Sequence, residues 1–147
     1  MNKILLIGCG HMGSALLNAW HNKTSNYFSV VDPNKYIILK RNYKRRVSIF
    51  KSIDKIQNTQ QFDIIIFAVK PQIATKVMRK FIGLKYNKKV LFVSVIAGKK
   101  ISFFNNFLPR NNQFVRVMPN MPAMVGEGVS CLVTNKNTSK QNKNIVT

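Results

Sequence analysis

The six residues Gly8-Cys9-Gly10-His11-Met12-Gly13 constrain this chain more than any others. They follow the apolar run Ile4 to Ile7 directly, and they open a stretch with Met12, Ala15, Leu16, Ala19 and Trp20 at helical spacing. Glycines spaced G-x-G-x-x-G between a strand and a helix each answer a separate need. Gly8 makes the tight turn, Gly10 leaves room for a close-approaching anion, and Gly13 lets helix and strand pack closely. Backbone N–H groups at the helix start then face that anion. Cys9 fits the loop as a small residue, with no chemistry of its own assigned to it.

A second strand, Phe28 to Asp32, ends in an acid close to the expected distance from the glycines. A carboxylate there accepts hydrogen bonds from the ribose hydroxyls of a dinucleotide and repels a 2′-phosphate, so Asp32 favours NAD. Lys35, Lys40 and Arg41 lean the other way, toward NADP. Asp32 also reads as a turn residue before Pro33.

The rest of the chain alternates strand and helix. Helices are expected over Asn34 to Arg41, in a short piece capped by Ser52, over Gln72 to Phe81 after Pro71, and over Ser102 to Leu108. Strands are expected at Val47 to Phe50, Phe62 to Val69, Lys89 to Val95, Gln113 to Val117 and Glu127 to Thr134. Phe62 to Val69 is apolar nearly throughout, as a central parallel strand buried on both faces must be. The pattern predicts an α/β domain of the Rossmann type over residues 1–134: doubly wound, mainly parallel, with helices on both faces. Residues 135–147, rich in Lys, Asn, Ser and Thr, read as a polar, disordered tail.

Composition excludes several classes. No apolar run reaches the length of a membrane span, and the N-terminus lacks the pattern of a signal peptide, so a cytoplasmic location is expected. Two cysteines, Cys9 and Cys131, imply neither a disulfide framework nor a zinc site, and no metal is expected. The formal net charge of +20 suggests a polyanion partner, but the lysines are scattered. Only Lys40 to Arg46 is dense, and no nucleic-acid motif accompanies it, which argues against specific nucleic-acid binding.

Four segments in order resemble the N-terminal domain of the pyrroline-5-carboxylate reductase family: Gly8 to Gly13, Ala68-Val69-Lys70-Pro71, Ser94-Val95-Ile96-Ala97-Gly98, and Arg116-Val117-Met118-Pro119-Asn120-Met121-Pro122-Ala123. The second and fourth are far more specific than the glycine loop. The resemblance implies that Ala68, Val69, Lys70 and Pro71 lie along the nicotinamide-ribose side of NAD or NADP, with Ala97 and Gly98 as the adjacent wall. It places Met118, Pro119 and Asn120 at the border of nicotinamide and substrate. His11 stands where the family usually carries Asn, and reads as a hydrogen-bond donor near the helix start rather than a proton carrier. The catalytic residues of the family are not identified in this chain. Its helical half, which implies dimerisation and substrate binding, has no counterpart here. The expectation is a truncated or remnant reductase that binds dinucleotide without efficient turnover alone, completed by a separate chain that carries the helical half. The alternative is a non-catalytic dinucleotide-binding or partner-binding module.

Overall fold

The computed structural model describes residues 1–119 and 130–146. Among the described residues seven strands form one sheet: β1 (Lys3–Ile7), β2 (Tyr27–Val31), β3 (Val47–Phe50), β4 (Ile64–Phe67), β5 (Leu91–Ser94), β6 (Gln113–Pro119) and β7 (Ser130–Thr134). Their order is β3-β2-β1-β4-β5-β6-β7. The first six are parallel, and β7 returns antiparallel on β6, with Met118 opposite Cys131. The order reverses direction beside β1, which makes the β1/β4 boundary the switch point where open α/β sheets bind ligands.

Period-two alternation sorts the strand residues into two cores. Leu5, Ile7, Ile65, Phe67, Phe92 and Phe114 face one layer, with Met78, Phe81 and Phe104 packed on them. Ile4, Leu6, Val30, Ile64, Ile66, Leu91 and Val93 face the other, with Leu17 and Leu39. Adjacent positions on β1 and β4 are therefore buried on opposite faces, which is why both strands read as continuous apolar runs. Aromatic rings fill the first layer: Phe67 meets Phe81 edge-on at 5.0 Å between centroids, and Phe104 lies 4.7 Å from Phe114.

The covering helices are α1 (His11–Lys23), α2 (Tyr36–Asn42), α3 (Ala74–Arg79), α4 (Ile101–Phe104) and α5 (Lys140–Val146). In α1 the buried stripe is Gly13 and Leu17, four apart, with Met12, Leu16 and Trp20 half-buried beside it. The close approach at Gly13 sets which face meets the sheet, so Leu17 rather than its neighbours becomes the core residue. The helix expected over residues 72–81 opens as a 3-10 turn, Pro71–Ile73, before α3. That expected over 102–108 is α-helical only to Phe104, after which Phe107 N–H bonds three residues back to Phe104 O and tightens the chain toward Pro109.

The segment after Thr134 departs from the disordered tail expected from its composition. Asn135 Nδ2 donates to Asn112 O at 2.8 Å, Thr138 Oγ1 donates to Phe114 O at 3.0 Å, and Ser139 N–H donates to Gln113 Oε1 at 2.9 Å. These side-chain bonds fix the start of α5 against β6, and Val146 packs on the second core. A polar segment can be ordered by hydrogen bonds to strand backbone even where it buries little apolar area.

Candidate functional site

The C-terminal ends of β1, β2 and β4 border a cleft of about 620 Å³. Gly8, Gly10, Asp32, Asn34, Ala68, Val69 and Lys70 all line it, so the glycine loop, the end of β2 and the turn after β4 converge. A smaller hollow of about 340 Å³ lies at the opposite end of the strands, between Lys3, Tyr27 and Val47, and shares none of these residues.

The glycine loop is built as its spacing requires. Gly8 has φ +92°, and a Cβ there would lie 2.8 Å from both Ala68 O and Val69 Cγ1. A Cβ on Gly13 would collide with Gly8 O. Gly10 is different, since a Cβ there would meet nothing within 4 Å. Its open side faces the cleft, and the first-turn N–H groups of α1 begin beside it without a side-chain cap. The loop thus has the form of a cradle, with uncapped N–H groups and room left where a pyrophosphate would pass.

Asp32 closes the cradle from behind. Its Oδ2 accepts from Cys9 N–H at 2.8 Å, and its Oδ1 accepts from Asn34 N–H and Lys35 N–H at 2.9 Å each. The side chain is thus both a tie between strand ends and the acceptor of a turn before α2. Ser14 Oγ donates to Cys9 O at 2.8 Å, which pins the loop from the helix side. The Cys9 thiol is buried, and burial raises its pKa, with Asp32 adding to the rise and Ser14 opposing it.

His11 and Lys70 are exposed, and Met12 is half-buried at the start of α1. Pro71 opens the 3-10 turn after β4, in the position where its missing N–H is not needed. Ala97 and Gly98 are exposed after β5, with Gly98 at φ +72°. Met118 and Pro119 end β6. Neither pair lines the cleft itself; both lie at strand ends further along the same edge of the sheet. Asn120 lies outside the described residues.

Sequence reasoning passed over Lys51 and Ile53 at the end of β3, Ile73 and Lys76 after β4, and Ser14. The signal for the first four was available, because chain leaving the C-terminal ends of parallel strands borders such a cleft. Among the described residues no group of three or more His, Cys, Asp or Glu could hold a metal ion, and no helix is long and apolar enough to cross a membrane.

A doubly wound sheet with a glycine cradle at its switch point defines an oxidoreductase-type dinucleotide-binding domain. Residues 3–98 match the family described as NADP oxidoreductase, coenzyme F420-dependent, and the chain belongs to it. More particularly, it resembles the N-terminal domain of pyrroline-5-carboxylate reductases. It is 31% identical over 139 residues to the pyrroline-5-carboxylate reductase of Haemophilus influenzae, an alignment covering 93% of this chain and 50% of that protein. The crystal structure of the Plasmodium falciparum pyrroline carboxylate reductase with NADP bound superposes with a TM-score of 0.76 at 28% identity, covering 99% of this chain and 52% of that one. The Coxiella burnetii pyrroline-5-carboxylate reductase shares the fold, with a TM-score of 0.81 at 24% identity over 99% of this chain and 54% of that one. The chain spans about half the length of the relatives it matches.

Proposed function

We propose that these residues bind NAD(P)H as the cofactor half of a pyrroline-5-carboxylate reductase. The observation that carries the reading is the open side of Gly10, set between a closed Gly8 and a closed Gly13 at the mouth of the cleft. Gly8, Cys9, Gly10, His11, Met12 and Gly13 cradle the pyrophosphate with backbone N–H groups. Asp32 holds that cradle in place. Ala68, Val69, Lys70 and Pro71 carry the dinucleotide across the switch point, and Ala97, Gly98, Met118 and Pro119 border its nicotinamide.

In this reading a dinucleotide held here would supply the hydride for reduction of the imine carbon of 1-pyrroline-5-carboxylate, with a proton added at the ring nitrogen to give proline. These 147 residues orient the donor but not the acceptor. Orientation of both partners supplies about 7–11 kcal/mol of such a barrier, so efficient turnover needs a helical substrate-binding half in cis or on a separate chain. The reading places the protein in the cytoplasm, where reduced dinucleotide is available.

Thermal unfolding with and without millimolar NADH or NADPH tests the binding step. A ligand at 100 times its Kd stabilises by about 2.7 kcal/mol, so a clear rise in Tm is expected. A cooperative transition that neither dinucleotide moves overturns the reading.

A further inference from the structure

The hollow of about 340 Å³ at the opposite end of the strands has no part in the dinucleotide reading. Strand register explains what lines it. Lys3 pairs with Tyr27, Leu5 pairs with Ser29, and Ser29 pairs in turn with Ser48. Registered residues of parallel strands share a face, here the one that carries Leu5, Val31 and Phe50 into the first core. On β2 and β3 that face is apolar at Val31 and Phe50 and turns polar two residues earlier, at Ser29 and Ser48. Both serines line the hollow, together with Lys3 and Tyr27 from the same face and Lys44 and Arg46 from the chain leading into β3.

The lining carries three cations and no acid. Among the described residues neither Lys3 nor Lys44 has a carboxylate within 4.0 Å, and neither serine hydroxyl has a hydrogen-bond partner. The neighbouring Asp63 gives its Oδ2 to Lys3 N–H, at 2.8 Å. Arg46 donates to His21 O and Thr24 O at the end of α1, so it fixes the wall and adds its charge. Two ammonium groups and two hydroxyls remain free to make contacts. Like charges gathered round a concave wall repel one another, and their field concentrates in the hollow, so an anion held there relieves the repulsion. A planar carboxylate offers one charge and two oxygens. A phosphate offers up to two charges and at least three oxygens, enough to use donors arriving from β1, β2 and β3 at once.

We propose that Lys3, Ser29, Lys44 and Ser48 form a phosphate site, with Arg46 as its fixed wall, separate from the dinucleotide cleft and independent of the reading given for it. The ligand is inorganic phosphate or the phosphate group of a small monoester. Tyr27, half exposed beside Lys3, is where the organic part of a monoester would lie.

Isothermal titration of the full chain with inorganic phosphate, phenyl phosphate and acetate, at constant low ionic strength, tests it. Both phosphates are expected to bind and acetate not. Tighter phenyl phosphate identifies a monoester as the ligand, and equal or tighter inorganic phosphate identifies the free anion. Removing both ammonium groups, in Lys3→Ala with Lys44→Ala, weakens phosphate at least about tenfold. Ser48→Glu, which sets a carboxylate at the hollow, abolishes binding in a chain that still melts cooperatively. Gly10→Ala leaves phosphate affinity unchanged, because that loop lies at the other end of the strands. Lys136→Ala with Lys140→Ala, an equal loss of charge after β7 at the far edge of the sheet, also leaves it unchanged. Phosphate binding no stronger than acetate overturns the proposal, as does binding that survives Lys3→Ala with Lys44→Ala. Weakening by Gly10→Ala assigns the anion to the cradle, and equal weakening by the Lys136 and Lys140 pair assigns it to net charge; either result overturns the site.

Discussion

The Cys9 N–H donates to Asp32 Oδ2 over 2.8 Å, a buried bond between residues 23 apart in sequence. It ties the loop after β1 to the end of β2, and with the Asn34 and Lys35 donors it makes one carboxylate responsible for the shape of two loops. Asp32→Ala strands a buried donor, which costs about 1–3 kcal/mol, and the loop loses its backing. Urea denaturation is expected to report that loss, together with weaker binding of NADH and NADPH alike. Stability within about 0.5 kcal/mol of the parent chain, the range of an ordinary surface change, would show that the bond is not structural.

The three loop glycines are expected to separate stability from binding. Gly8→Ala and Gly13→Ala place a Cβ against Ala68 O and Gly8 O and should lower the Tm sharply. Gly10→Ala meets no protein atom within 4 Å, so its stability should stay within about 1 kcal/mol of the parent, while the ligand-induced Tm shift disappears. Retention of that shift in Gly10→Ala would remove the pyrophosphate from this loop.

Arg46 holds the end of α1 from a distance. Its guanidinium donates to His21 O at 3.0 Å and to Thr24 O at 2.5 Å, and its backbone sits at φ 59°, where a side chain is strained. Cations at a helix C-terminus satisfy its last carbonyls and its dipole. Arg46→Ala keeps the strained backbone and removes the fork, so a loss of about 1–3 kcal/mol is expected in chemical denaturation. Arg46→Gly should recover roughly 1 kcal/mol of that by relieving the backbone. Equal stability of the two variants would refute the strain.

The two cysteines should behave oppositely. Cys9 is buried and Cys131 exposed, so a thiol reagent on the native chain is expected to label one cysteine, and both after denaturation. Burial holds the Cys9 pKa above its ordinary 9.0 when folded. The neutral thiol is the form the fold accepts, so its contribution is intact below about pH 9 and is lost as pH rises through the elevated folded value. Cys9→Ala should flatten that alkaline decline in a pH series of melts; an unchanged decline would assign it to other groups.

Much of this protein was legible without coordinates. The alternating strands announced themselves because each buried strand must be apolar on both faces, as Ile64 to Phe67 are. The glycine loop was equally plain, since the turn, the anion's approach and the helix contact fall within six consecutive residues. Its anchor was half visible: Asp32 was placed at the end of β2, but not its bond to Cys9.

The amino-acid sequence by itself determined the doubly wound architecture and the location of the cradle, because periodicity and glycine spacing are local properties that any fold of these residues must respect. The tertiary structure decided the rest. Whether Asp32 faces a ribose or a backbone, that Lys40 and Lys51 meet at Tyr36, that Leu17 is the core of α1, and that Asn135 and Thr138 order a polar segment against Asn112 and Phe114 all depend on partners distant along the chain. Hydrogen-bonding capacity and charge are written in a residue's identity, but the group that satisfies them is chosen only when the chain folds.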